Sequence, residues 1–223
     1  MTVALPTRRA LVVRGGWEGH TPEAATDEFL GFLRASDFDV VVEDSLEAYA
    51  DAELMGTMSL IVQSWTQGDI LADEFRGLRD AIVGGAGFAG WHGGVLDAFR
   101  QTVEYSQMMG GMFAAHPHGM VPHRVEFTDA GRAHPITKGL DDFDLTSEQY
   151  WVLSDSLSTV LATTDIVPLT SDPWPEPYRA PVAWTRPWGQ GRIFVTTVGH
   201  GVDDLRQPVV RDLICRGMLW AAR

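Results

Sequence analysis

The sequence predicts an α/β fold: a three-layer, doubly wound, mostly parallel sheet with helices on both faces. Two observations carry this expectation. Short runs rich in Val, Ile and Leu alternate with longer stretches of helical period, the pattern of strand and crossover helix that builds a parallel sheet with right-handed connections. Glycines then stand where strands should end, in Gly15-Gly16 and in Gly90-Trp91-His92-Gly93-Gly94, and the carboxyl ends of parallel strands are where such a fold places its cleft.

Ala10 to Arg14 reads as the first strand, buried on both faces. Thr21-Pro22-Glu23 follows as a helix start, with threonine at the cap, proline at the first helical position and an acid in the first turn. Ala25, Phe29, Phe32 and Leu33 then recur at helical spacing. Asp39 to Glu43 and Ser59 to Gln63 read as the second and third strands. A helix from Ala72 to Val83 leads to Gly84-Gly85-Ala86-Gly87 and a fourth strand running into the Gly90–Gly94 segment. Between Gly110 and Arg179, seven prolines break any long helix. This region is expected to supply loops and extra strands, Val121 to Phe127 and Ser158 to Ala162, that cover one side of the cleft. Pro181 to Trp184 and Arg192 to Val198 are two late strands around the turn at Gly189-Gln190-Gly191, and Val209 to Trp220 has the period of a C-terminal helix.

Composition narrows the function. With 45% hydrophobic and 21% charged residues in 223, the chain reads as one folded domain, residues 1–223, with no Pro- or Ser-rich linker. Thirty acidic against seventeen basic residues give a net charge of −13, which repels nucleic acid and anionic lipid. No apolar run is long enough to span a bilayer, and Met1 to Pro6 is too short and polar for a secretory segment, so a cytoplasmic protein is expected. The lone Cys215 excludes an internal disulfide and a cysteine metal cluster, and it reads as a buried hydrophobe. Gly84-Gly85-Ala86-Gly87 precedes its strand, and no GxGxxG or GKS/T pattern follows one, so a nucleotide is not expected.

The Gly90–Gly94 segment has the spacing of a nucleophile elbow with a histidine in the nucleophile's place. Such an elbow turns the chain sharply from strand to helix and lifts the middle side chain into the cleft. An imidazole there shuttles protons or ligates metal. His20 and His200 follow the first and last predicted strands as His92 follows the fourth, so these three rings are expected to share one cleft.

At these residues the chain resembles the trehalose-utilisation, or ThuA-like, family, over about Ala10 to Ala222. The resemblance is carried by Gly16-Trp17-Glu18-Gly19-His20, the elbow, His134-Pro135-Ile136 with Gly139-Leu140, Glu148-Gln149-Tyr150, Pro181-Val182-Ala183-Trp184, and Gly191-Arg192-Ile193-Phe194 leading to Gly199-His200. It implies a flavodoxin-like layering close to that of the class I glutamine amidotransferases, and a role in carbohydrate utilisation. The amidotransferase cysteine corresponds to His92, so glutamine hydrolysis through a thioester is not available.

The resemblance also brings in Glu148 and Tyr150, which match the family's acidic-x-tyrosine pattern. His92 and His200, with an acid such as Glu148 or Glu18, suit proton abstraction and return at a sugar carbon, making His92, His200 and Glu148 the catalytic candidates. His20, His92 and His200 equally suit a divalent metal such as zinc, although no local HExxH spacing is present. Asp203 and Asp204 are placed to orient His200. Sugar rings stack on indole, so Trp17, Trp65 and Trp91, at strand ends, join Glu18, His20, His116, His118 and Tyr150 as substrate-contact candidates. The His116-Pro117-His118 pair reads as easily as a loop stiffened by proline. Trp184 and Trp220 are assigned to packing, and His123 and His134 to structural positions. Two functions remain open: an enzyme acting on a sugar or keto-sugar as hydrolase, isomerase or lyase, and a non-catalytic carbohydrate-binding or regulatory protein. A homodimer that buries some of the tryptophans is compatible with both.

Overall fold

The structure is a computed structural model that describes residues 8–223; the reading of Met1 to Pro6 lies outside the described residues. The elements run β1 (Arg8–Gly16), α1 (Pro22–Ala35), β2 (Phe38–Glu43), α2 (Ala52–Gly56), β3 (Leu60–Thr66), α3 (Ala72–Val83), β4 (Gly87–Trp91) and α4 (Gly93–Leu96). They continue as α5 (Val103–Met109), β5 (Gly111–Ala115), β6 (Met120–Phe127), α6 (Asp129–Ala133), β7 (Phe143–Glu148) and β8 (Trp151–Ser154). The chain closes with β9 (Thr159–Ile166), β10 (Tyr178–Trp188), β11 (Gly191–Thr196), α7 (Val202–Arg206) and α8 (Pro208–Ala221).

Nine strands form one sheet in the order β2-β1-β3-β4-β11-β10-β9-β6-β7. The five from β2 to β11 are mutually parallel, and only β10 and β6 run against the rest. The expected mostly parallel α/β sheet is therefore present. The chain leaves β1 for one neighbour, β2, and then returns to its other neighbour, β3. That reversal opens a crevice at the carboxyl ends of β1 and β3.

Alternation along the buried strands separates two cores. Ala10, Val12, Leu60, Val62 and Phe194 face α1 and α8, meeting Phe29, Leu33, Val210, Leu213 and Met218. Leu11, Val13, Ile61, Phe88 and Ile193 face the other side, toward Tyr49, Met55, Leu78 and Ile82. Helix α1 starts at Pro22 as expected, but Thr21 sits at φ 44° and its hydroxyl makes no cap hydrogen bond. Its residue type suits a cap, while its left-handed backbone turns the hydroxyl away from the helix.

The stretch from Gly110 to Arg179 carries the two expected strands, as β6 and β9, but not in the expected place. β6, β7 and β9 do not cover the cleft; they extend the main sheet by antiparallel pairing. Only β5 and β8 stand apart, as a two-stranded ribbon. The proline-rich turns shorten the elements without preventing ladder pairing, since Pro181 sits beside a register shift against β9 and Pro122 lies where β6 pairs with β7 but not with β9.

Trp91 also departs from the expectation. It is 2% exposed and packs on Phe29 at 5.0 Å between ring centroids, in the core beneath α1. As the last residue of β4 it points to the face opposite His92, so it is a packing residue. Trp184 is buried as expected, its indole N–H donating to the Met109 carbonyl at 2.9 Å. Replacing Trp91 by alanine should cost about 3–5 kcal/mol of stability, the range for a large core aromatic, read as a lower urea midpoint. Trp17→Ala, at an exposed position, should leave that midpoint unchanged.

Candidate functional site

Four chain segments deliver side chains to the crevice. β1 ends at Gly16, whose φ of 78° and close approach to Thr66 leave no room for a side chain: a Cβ would lie 2.1 Å from the Thr66 carbonyl oxygen. The turn after it, held by the Trp17 N–H on that same carbonyl, presents His20, whose Nδ1 is hydrogen-bonded to the Thr66 hydroxyl at 2.9 Å. β4 ends at the elbow carrying His92, β11 leads to His200, and β7 ends at Glu148. The rings meet at centroid distances of 4.8 Å (His20 to His92) and 5.3 Å (His20 to His200 and His92 to His200).

His92 is the centre of the group. Its backbone sits at φ 49° and ψ −142° between strand β4 and helix α4, a conformation that costs a non-glycine residue roughly 1–3 kcal/mol. The surroundings hold it there. The His92 backbone N–H donates to Thr196 O at 2.7 Å, and the ring Nδ1–H donates to Thr197 O at 2.7 Å. A carbonyl can only accept, so the proton of the neutral ring lies on Nδ1 and Nε2 carries a bare lone pair. That lone pair faces Glu148 Oε2 at 3.2 Å and His200 Nδ1 at 3.3 Å. Glu148 Oε2 is in turn 3.3 Å from His200 Nδ1. Lone pairs gathered this closely need a proton or a cation among them.

The protonation states follow from burial and neighbours. Burial, reinforced by the adjoining His92 and His200, pushes the His20 imidazole down to about 4. Burial also pushes His92 down, against the pull of Glu148 and the Thr197 hydrogen bond. Burial alone would raise the Glu148 carboxyl, yet hydrogen bonds with His200 and His92 hold it well below the usual carboxylate range. The hydrogen bond with Glu148 raises His200. At neutral pH the cluster thus offers two neutral imidazoles, an ionised carboxylate and His200 as its proton carrier. One potential ligand atom from each of His20, His92, Glu148 and His200 lies within 4.8 Å of the others.

Other expected residues fall around this group. The Tyr150 ring lies on His92 at 4.1 Å between centroids, and burial, with the charges of Glu148 and Asp97, drives its phenol pKa far above the ordinary value. Gly93 has to be glycine for this packing, because a Cβ would lie 2.4 Å from His20 Cε1 and 3.2 Å from the Tyr150 hydroxyl oxygen. Trp17 is exposed and sets its edge against His20 at 4.8 Å. His116, 43% exposed, brings Nε2 to 3.6 Å from Glu148 Oε1. His118 does not join the cluster: it pairs with Asp172 at 2.8 Å and stacks on Trp174. Glu18 is exposed and outside the cluster, and Trp65 is half-buried, packed against the core beside Gly15.

Asp203 and Asp204 do not orient the His200 ring. Asp203 is exposed, while Asp204 accepts from the His200 backbone N–H at 3.1 Å and from the Ser147 hydroxyl at 2.6 Å. It ties the His200 loop to β7 beside Glu148, and Glu148 itself meets the ring. Sequence reasoning did not find Gln63, whose amide accepts from the Tyr49 hydroxyl and donates to Gly94 O and to the Tyr105 hydroxyl oxygen, bracing the elbow from below. Its signal was a polar residue closing the apolar run Leu60 to Val62. His123 and His134 stand outside this cluster, His123 donating from Nδ1 to Val121 O and His134 meeting Trp220 edge-on.

The depressed His20 has a consequence for stability. Between pH 6.5 and about 4 the unfolded imidazole binds a proton that the folded one refuses, so His20 makes stability fall as pH drops through that window. Metal-free wild-type protein should lose stability more steeply over this range than His20→Gln, as read from urea midpoints at successive pH values.

Comparison with known proteins agrees with this architecture. The trehalose-utilisation family, ThuA, matches residues 9–221. A ThuA-like protein from Bacteroides uniformis superposes with a TM-score of 0.77 at 19% identity, covering 99% of this chain and 94% of the other. A ThuA-like protein from Parabacteroides merdae gives 0.73 at 16% identity, with 97% and 90% covered. A cytoplasmic protein from Salmonella typhimurium gives 0.67 at 15%, with 96% and 100% covered. At these identities the likeness is one of fold. The search of curated proteins returns no match. No helix among the described residues is long and apolar enough to cross a membrane. With the family matched over nearly its whole length, this chain belongs to the trehalose-utilisation (ThuA) family.

Proposed function

We propose that the chain acts as one domain, an enzyme of carbohydrate utilisation, and that His20, His92, His200 and Glu148 hold a divalent metal in its cleft. The observation that carries this reading is the convergence of four donor atoms within 4.8 Å of one another, with the His92 lone pair turned into the group by the Thr197 carbonyl. Three imidazoles and one carboxylate are a donor set suited to zinc or another borderline ion. When bound, such a metal supplies a Lewis acid for a water or a sugar carbonyl oxygen.

The remaining roles belong to the protein. Thr197 fixes the His92 tautomer and Thr66 orients His20, the outer-shell support that metal-binding histidines require. Tyr150 shields one side of His92 from water. His116, exposed to solvent and 3.6 Å from the outer oxygen of Glu148, is placed to deliver or remove a proton. The exposed Trp17 indole offers a face for a sugar ring. Hydrolysis, isomerisation and elimination all fit such a centre. The substrate is a small carbohydrate, and the net charge of −13 disfavours nucleic acid as a partner. The cytoplasm is the compartment we assign, in keeping with the description of the Salmonella neighbour.

A second reading has its own support. His200 is raised by Glu148, the arrangement of a carboxylate–imidazole pair that moves protons without a metal. The two readings separate on metal content. Protein purified without a histidine tag should retain stoichiometric metal by inductively coupled plasma mass spectrometry, and His92→Ala and Glu148→Gln should lose it together with turnover on sugar or keto-sugar substrates. Metal-free protein that remains fully active and is insensitive to chelators would favour the imidazole pair.

A further inference from the structure

β6 and β9 pair over Glu126↔Thr163 and Phe127↔Ala162. Beyond that contact, toward the carboxyl edge, a cleft of about 390 Å³ opens between them, within the ~300–1,000 Å³ that small-molecule sites occupy. His123 and Arg124 line it from β6, His118 from the preceding turn, and Asp165 and Val167 from the end of β9. Gln149, 7% exposed, reaches into it from the residue after β7. Alternation along the chain sends Glu148 and Tyr150 to His92 and Gln149 to this second cleft.

The chemistry of its lining selects a class of ligand. Each charge at the cleft already has a partner, Arg124 with Asp144 at 3.1 Å, Asp165 with Arg179 at 2.9 Å and Glu126 with Arg179 at 2.7 Å, and His118 Nε2 is committed to Asp172 at 2.8 Å. An ionic ligand would have to break these pairs to gain a new one. Two acceptors are left over. The Gln149 amide nitrogen donates to Thr164 Oγ1 at 2.8 Å and Asp165 O at 3.2 Å, so its oxygen has no protein donor among the described residues. His123 spends its Nδ1–H on Val121 O at 3.0 Å, and burial keeps the ring neutral, so Nε2 is a bare acceptor. Val121, Pro122 and Val167 supply apolar surface beside them. Hydroxyl donors on a ring with C–H faces satisfy both features.

We propose that this cleft is a subsidiary binding site for a neutral sugar ring or small polyol, distinct from the four-residue centre around His92. It stands whether or not that centre holds a metal.

The test uses the full-length chain, with glucose as neutral probe and glucuronate as its acidic counterpart, followed by saturation-transfer NMR. His123→Phe removes the acceptor at similar ring size. Val167→Trp fills the cleft from a position that is 58% exposed, where folding is not at risk. Glucose should bind the wild type more tightly than glucuronate does, and its dissociation constant should rise about tenfold or more in each variant, with metal content unchanged. His92→Ala should retain glucose binding at the cleft. Undiminished binding in Val167→Trp, tighter binding of glucuronate, loss of glucose binding in His92→Ala alone, or no glucose signal in the wild type would each overturn the proposal. The metal content of the same preparations reports on the His92 centre separately.

Discussion

The left-handed backbone of His92 and the hydrogen bond from its Nδ1–H to the Thr197 carbonyl form a single constraint. The elbow lifts the ring out of the sheet, and the carbonyl then decides which nitrogen carries the proton. With Nδ1 committed, Nε2 presents its lone pair to Glu148 and His200. A histidine in an ordinary strand-to-helix turn would have neither the position nor the fixed tautomer, and the cluster would lose its shared centre.

The sheet makes that constraint affordable. β4 lies between β3 and β11, so the strained turn is gripped on both sides, by the Thr196 carbonyl from β11 and by Gln63 of β3 through Gly94 O. The carboxyl edge of the parallel strands brings in His20, His92 and His200, and Glu148 arrives at the same edge because β7, four pairings away from β11, has returned to the common direction. Two reversals, at β10 and β6, thus deliver the one carboxylate of the cluster. Electrostatics then sorts the group: burial keeps His20 and His92 neutral while mutual contact keeps Glu148 ionised and raises His200. An ionised acid among neutral rings is suited to cations and to protons in transit.

Local pattern revealed much of this. Apolar runs showed the strands from β1 to β4 and β11, because each carries a short apolar run, buried on both faces in β1, β3, β4 and β11 and only partly covered in the edge strand β2. The glycine spacing showed the elbow, although what crowds those glycines, Gln63 and Val95 at Gly90, His20 at Gly93 and Ser64 at Gly94, is seen only in the fold. The three histidines were legible by their position after strands. What was misread shares one cause, a dependence on partners remote in sequence. Trp91 looked like a cleft residue because it adjoins His92, but the pleat sends neighbours to opposite faces, and Phe29 of α1 waits on the other side. Asp204 looked like a partner of the His200 ring and instead holds that residue's backbone. His118 was paired with His116 by proximity in the chain, whereas Asp172, far downstream, claims it.

By itself, then, the sequence determined the layered α/β class, the order of the parallel strands' residues along the chain, the elbow and the identity of the imidazoles, because periodicity and glycine geometry act over a few residues. Only the tertiary structure decided that Glu148 is the carboxylate among them, that β6, β7 and β9 lengthen the sheet instead of roofing the cleft, and that Thr197 sets the tautomer of His92. Those outcomes rest on pairing and burial between segments far apart in the chain, as His92 and Thr197 are at 105 residues, which no local pattern encodes.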